Sequence, residues 1–171
     1  MSEQSIHHSS DGTMEVSTPS DTELRVTRSF AAPRERVLDA WTQPAIIKRW
    51  MFGAPGWTLP VCDIDLRVGG AYRFVWRSED GKEMGMGGTY REIARPSRLV
   101  TTELFDEDWT GGETLVTLEL IERDGGTETI QTVRYSSRDA RDGALASGMI
   151  DGMAACFRNL DDLLAEEPSR L

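Results

Sequence analysis

From Thr58 to Tyr135 the chain alternates apolar and polar residues with a period of two, in six runs separated by short turn signals. That period puts successive side chains on opposite faces of a strand, so each run has one face fit for a core. The runs are 58–68, 71–77, 83–93, 99–105, 114–122 and 127–135. Gly69-Gly70, Asp80-Gly81 and Asp124-Gly125-Gly126 mark three of the turns. Connections this short make antiparallel neighbours, because a parallel pair needs a long crossover. The chain is therefore committed to an antiparallel meander, and any helix must cover one face of it.

The flanking segments supply the rest. Leu24, Val26 and Phe30 give a further strand over 23–30. Pro33 and Pro44 each sit where a helix tolerates proline, at its start. Val37, Leu38 and Trp41 form one inward face, and Ile46, Ile47 and Trp50 the next. After Tyr135, Ser136-x-x-Asp139 resembles a capping box with Asp in place of Glu or Gln. Leu145, Met149, Gly152, Met153, Cys156, Leu160 and Leu163 then follow steps of three and four, which predicts one helix near 138–166. Gly143, Gly148 and Gly152 are costly in a helix, so they imply close backbone approach or room beside it. The predicted domain, 23–166, is α+β: a seven-stranded curved antiparallel sheet wrapped on a long C-terminal helix, with two short helices after the first strand. Residues 1–22 lack Lys, Arg and apolar periodicity and are expected to be a disordered acidic tail; 167–171 form a C-terminal tail.

Composition narrows function by exclusion. A net charge of −10 with no Lys/Arg-rich run disfavours nucleic acid and anionic membrane. No apolar run is long enough to insert in a bilayer, and no signal-peptide core is present, so cytoplasm is expected. His7 and His8 are the only histidines and lie in the tail, which leaves the folded part without a His base or a His metal site. Cys62 and Cys156 are expected to be unbridged thiols, and neither a metal nor a cofactor is expected.

The residues that stand out are large, apolar and adaptable. Tyr72, Phe74 and Trp76 share one face of a run, and Met84, Met86, Gly88 and Tyr90 share a face of the next. With Trp41, Trp50, Phe105, Trp109, Met149, Gly152 and Met153 they are the candidate ligand-pocket set. Glu103 alternates with Phe105 and joins them; turned inward, its carboxyl would have a raised pKa and could exchange a proton. Asp63, Asp65 and Arg67 share a strand face expected to be solvated.

Four motifs carry a resemblance: Asp65-Leu66-Arg67-Val68-Gly69-Gly70-Ala71-Tyr72-Arg73-Phe74; Gly88-x-Tyr90-x-Glu92-Ile93; Ala32-Pro33-x-x-x-Val37-x-x-Ala40-Trp41; and Gly148-Met149-x-x-Gly152-Met153. In this order the chain resembles, over about 23–166, the homologues of the activator of Hsp90 ATPase in the START-like (SRPBCC) superfamily. The resemblance implies a helix-grip (START/Bet v-like) fold with a cavity between sheet and C-terminal helix. It implies no single activity, since members bind lipids, hormones or polyketides, some catalyse cyclisation, and the eponymous activator touches a chaperone. The leading expectation is a binder of a small, largely apolar molecule such as a lipid, aromatic or polyketide-like metabolite. The alternatives are a cyclase- or hydrolase-type enzyme using polar pocket residues, and a co-chaperone-like module acting on the Hsp90 ATPase. A stress role fits any of these, and exposed edge strands leave a homodimer open.

Overall fold

The computed structural model describes residues 14–166 and the backbone of His7 and His8. In chain order the elements are β1 (His7–His8), β2 (Met14–Ser20), β3 (Glu23–Phe30), α1 (Arg34–Thr42), α2 (Pro44–Ile47), β4 (Trp57–Ile64), β5 (Ala71–Ser78), β6 (Glu83–Ala94), β7 (Arg98–Phe105), β8 (Thr114–Arg123), β9 (Gly126–Arg134), α3 (Arg138–Ala146) and α4 (Met149–Leu164). One sheet runs β1-β2-β3-β9-β8-β7-β6-β5-β4. Every neighbouring pair is antiparallel. Register shifts lie between Thr58 and Val61 and between Tyr90 and Glu92. Such bulges bend a strand and raise its twist, which helps the sheet curve around the helical layer.

Three sequence expectations are corrected. The sheet has eight strands of seven or more residues and one two-residue strand, not seven strands. The additional strands lie in the segment expected to be a disordered tail. There β2 pairs with β3, Val16 opposite Val26, and turns Met14 and Val16 into the core. Its other positions are mostly Ser and Thr, and Thr suits a half-buried strand as well as it suits a coil. The remaining residues up to 13, and 167–171, lie outside the described residues, apart from the backbone of His7 and His8.

The predicted strand 58–68 ends at Ile64 instead. Tight hydrogen bonds from Arg67 N to Asp65 O (2.9 Å) and from Gly70 N to Arg67 O (2.8 Å) turn the chain away. Leu66 and Val68 are consequently exposed, despite continuing the alternation.

The single long C-terminal helix is two helices. Gly148, at φ +86°, takes the left-handed conformation between α3 and α4, where a side chain would be strained. The cap of α3 also moves by one residue. The Ser137 hydroxyl accepts from Ala140 N, whereas Ser136 Oγ donates to Gly111 O (2.7 Å).

The inward face carries two apolar clusters. The first packs Phe157, Leu160, Leu163 and Leu164 of α4 against Val26, Val116, Leu118 and Leu120 of the sheet and Leu38 and Trp50 beside it. The second lies at the other end of the sheet, where Ile47 covers Leu59, Cys62, Tyr72, Phe74, Met86 and Tyr90. Cys62 and Cys156 are both free, and burial pushes each thiol up to about 11.

An ion pair pins α4 to the sheet. Arg28 of β3 is 6% exposed and donates to both carboxylate oxygens of Asp161, at 3.1 and 2.5 Å, with Asp161 43% exposed. Removing one partner of a buried pair strands the other charge, typically at about 3–5 kcal/mol. Asp161→Ala is expected to reduce unfolding free energy by the lower part of that range, because Asp161 is partly hydrated. Urea unfolding measures this. An unchanged midpoint would mean that Ser29 O, already 2.8 Å from Arg28, and water satisfy the guanidinium without Asp161.

Candidate functional site

The strand register builds a floor of aligned side chains. Cys62 lies opposite Phe74, Phe74 opposite Met86, and Met86 opposite Phe105, so one row crosses β4 to β7. Two residues along, Ile64 faces Tyr72, Tyr72 faces Gly88, and Glu103 faces Thr114. The pairing of Gly87 with Leu104 sets Gly88 beside Glu103 and completes this second row.

Gly88 is what permits the row to close. A Cβ there would collide with the Thr102 carbonyl and lie 2.9 Å from the Tyr72 ring. With only hydrogen at that position, the Tyr72 phenol reaches across and donates to Thr102 O at 2.6 Å. Burial, then the nearby Glu103 charge, raises the Tyr72 phenol well above its ordinary range. Burial also pushes Tyr90 up to about 12.

Glu103 sits between the two halves of the sheet. Its charge acts on Tyr72 from the second cluster and on Tyr135 from the first. Its side chain is half-buried, yet it lies deep enough among neighbouring atoms for burial alone to raise its carboxyl to about 7. Among the described residues no hydrogen bond or ion pair engages that carboxyl. The donors around it point elsewhere. Tyr72 Oη donates to Thr102 O, Thr114 Oγ1 to the Glu103 backbone carbonyl (3.3 Å), and Tyr135 Oη to Met149 Sδ (3.5 Å).

The candidate pocket residues divide among these features. Tyr72, Phe74, Trp76, Met86, Tyr90 and Phe105 come together in or against the second cluster. Trp50 is fully buried in the first cluster, with Trp41, Met149 and Met153 packed against it. Trp109, 36% exposed, tilts against Phe105 with ring centroids 4.7 Å apart. Met84 is 41% exposed, opposite Trp76 at the far end of β5 and β6. Gly152 is exposed, and a Cβ there would meet nothing within 4 Å, so it provides room and not close approach. Tyr135 was not foreseen, although extending the inward alternation of β9 from Val133 reaches it. Met51 and Phe52, which pack on the second cluster after α2, carried no periodic signal.

Two hollows open at the surface. One, about 460 Å³, involves Arg34, Arg98 and Glu119. The other, about 450 Å³, involves Val100, Thr102, Thr114, Leu115, Arg134 and Tyr135. Neither of these two hollows is lined by the candidate pocket residues. Among the described residues no three His, Cys, Asp or Glu side chains converge as metal ligands, and no helix is long and apolar enough to cross a membrane.

A curved antiparallel sheet gripping a C-terminal helix, with aromatic and Met side chains turned between them, defines a START-like helix-grip protein. The chain belongs to the family described as Activator of Hsp90 ATPase homolog 1-like protein, which it matches over residues 31–165. It is 39% identical to a protein from Rhodobacter sphaeroides of known crystal structure, covering 90% of this chain and 98% of that one, with a TM-score of 0.85. A protein from Chromobacterium violaceum is 25% identical, covering 85% of this chain and 99% of that one, with a TM-score of 0.72. One from Mycobacterium smegmatis, 24% identical over 96% and 99% of the two chains, shares the fold at a TM-score of 0.77. No curated protein matches the chain.

Proposed function

We propose that this protein binds a small, largely apolar ligand in the cleft between α4 and strands β5–β7. One observation carries this reading. Trp76, Phe105, Met149 and Met153 turn toward the core side, yet all remain partly exposed. A core closes such surfaces, whereas a binding site leaves them for the ligand. Met adapts its shape at little cost, so Met149 and Met153 can part from the strands as a ligand enters. Membership of a START-like family supports the same use of the fold.

The cyclase- or hydrolase-type reading gains one observation, a Glu103 carboxyl titrating near neutrality beside two tyrosines. It would appear as turnover and not as stoichiometric binding.

Gly152 offers a test. It stands one turn from Met149 and Cys156 on α4, with open space beside it. Gly152→Leu should place a side chain across the cleft and improve helix propensity by several tenths of a kcal/mol. The expected result is unchanged or slightly higher stability, with weakened binding of the neutral fluorescent probe N-phenyl-1-naphthylamine. Failure of the unmodified protein to bind the probe would reject the ligand reading.

A further inference from the structure

We infer that the cleft is built for a hydrophobic cation: a molecule with an aromatic or branched apolar body and one protonated amine, whose N–H groups are accepted by Glu103. The inference rests on the ligand reading above and specifies the chemistry of that site. Glu103 lies in a row of otherwise uncharged residues, Ile64, Tyr72, Gly88 and Thr114. A carboxylate partly withdrawn from water gains from donors, and lacking them is costly. The Tyr72, Tyr135 and Thr114 hydroxyls are committed to Thr102 O, Met149 Sδ and the Glu103 backbone carbonyl. Among the described residues no Arg or Lys pairs with it. Arg28, also turned to the inner face, is paired with Asp161 instead. The site therefore holds an acceptor whose donor has to arrive from outside.

The walls suit the rest of such a molecule. Phe105, two residues from Glu103 on the same face of β7, packs against Trp109 with ring centroids 4.7 Å apart, and aromatic rings attract cations as well as apolar groups. A net charge of −10 also favours approach of a cation over an anion.

The pH dependence follows from the same groups. Tyr72 on β5 and Tyr135 after β9 face Glu103. Tyr90 on β6 and Glu113 before β8 act on Tyr72, and α4 offers Cys156 on the flank of Met149 and Met153. Burial holds the phenols above the neutral range and the thiols near 11, so Glu103 is the member of this set that changes charge near pH 7. Below its pKa Glu103 is neutral and does not attract the cation. Above it the carboxylate does, so affinity for an amine rises with pH through that value.

The experiment titrates 1-naphthylmethylamine and its neutral counterpart 1-naphthalenemethanol into the full chain at about pH 6 and about pH 8, following tryptophan fluorescence. The amine should bind about tenfold or more tighter than the alcohol at the higher pH, and lose most of that advantage at the lower. In Glu103→Gln the amine should fall to the alcohol's affinity at both values while the alcohol is unaffected. Equal binding of both compounds at both pH values, in the unmodified protein, would overturn the cation assignment and leave the apolar cleft standing. Binding of neither compound would reject the cleft as a ligand site, and the inference with it.

Discussion

A chain beginning at Asp21, without β1 and β2, is expected to melt well below the full-length protein. Met14 and Val16 are fully buried, and both pack in the first cluster. Full burial of such a side chain contributes about 1.5–3 kcal/mol, so losing both forfeits about 3–6 kcal/mol. Their removal also uncovers Leu24 and Val26 on β3, which β2 now shields and which are fully buried in the complete sheet. Against a typical total stability of about 5–15 kcal/mol this is a large fraction. At this chain length each kcal/mol corresponds to about 2–4 °C, so the melting temperature should fall by about 6–24 °C. Calorimetry of the two chains measures it. A second comparison separates the side chains from the backbone ladder. The double variant Met14→Ser, Val16→Ser keeps the strand residues and should reproduce most of the loss. Equal melting temperatures for the shortened and complete chains would show that β2 adds nothing to the fold, as the composition of the tail had led one to expect.

That reversal shows where sequence patterns stop being informative. Strands such as β5 and β8 are plain in the sequence because every second residue is large and apolar, as with Tyr72, Phe74 and Trp76 and with Val116, Leu118 and Leu120. The charged faces then pair in place, Arg73 with Asp106 and Arg77 with Glu83. Strand β2 has only Met14 and Val16 to declare it, among Ser, Thr and Pro that suit a coil equally well, and its pairing partner is fixed by tertiary contact with Val26. The break at Gly148 is hidden for a different reason. Leu145 and Met149 are four residues apart, so the apolar stripe runs through the interruption without a change of phase. The end of β4 is hidden because Leu66 and Val68 keep the alternation after the chain has left the sheet.

The site was legible in part for similar reasons. Alternation with Phe105 is enough to turn Glu103 inward, and the shared faces of β5 and β6 follow from period two alone. What periodicity does not carry is which inward residues close a core and which line an opening. Trp50 and Trp76 have the same chemistry and each follows an inward pattern. One is fully buried under α4 and the other is only half-buried. The difference is set by what stands opposite: Phe157 over Trp50, and the partly exposed Met51 by Trp76.

Trp50→Ala is therefore expected to be among the most damaging single truncations in the chain, and Trp76→Ala a milder one. The Trp50 ring lies 4.8 Å from that of Trp41 and 6.4 Å from that of Phe157, centroid to centroid, which ties the α1–α2 segment to α4. Its Nε1 donates to the Ala40 carbonyl at 2.8 Å, and its own carbonyl accepts from Asn159 Nδ2 at 3.1 Å. Truncation removes the packing and leaves Ala40 O without its donor, at about 3–5 kcal/mol for the cavity and about 1 kcal/mol more for the hydrogen bond. Trp76 also donates, from Nε1 to Met51 O at 2.7 Å, but with one side open it has fewer contacts to lose and water can replace its hydrogen bond. Chemical denaturation of both variants tests the ranking, and Trp50→Phe refines it, since it keeps an aromatic body while losing the donor and part of the volume. Probe binding by the folded fraction should survive Trp50→Ala, because Trp50 packs away from the cleft, and should weaken in Trp76→Ala, because Trp76 stands at its edge. Equal stability losses for the two alanine variants, or binding lost with Trp50 and kept without Trp76, would put the core where the cleft is drawn and the cleft where the core is.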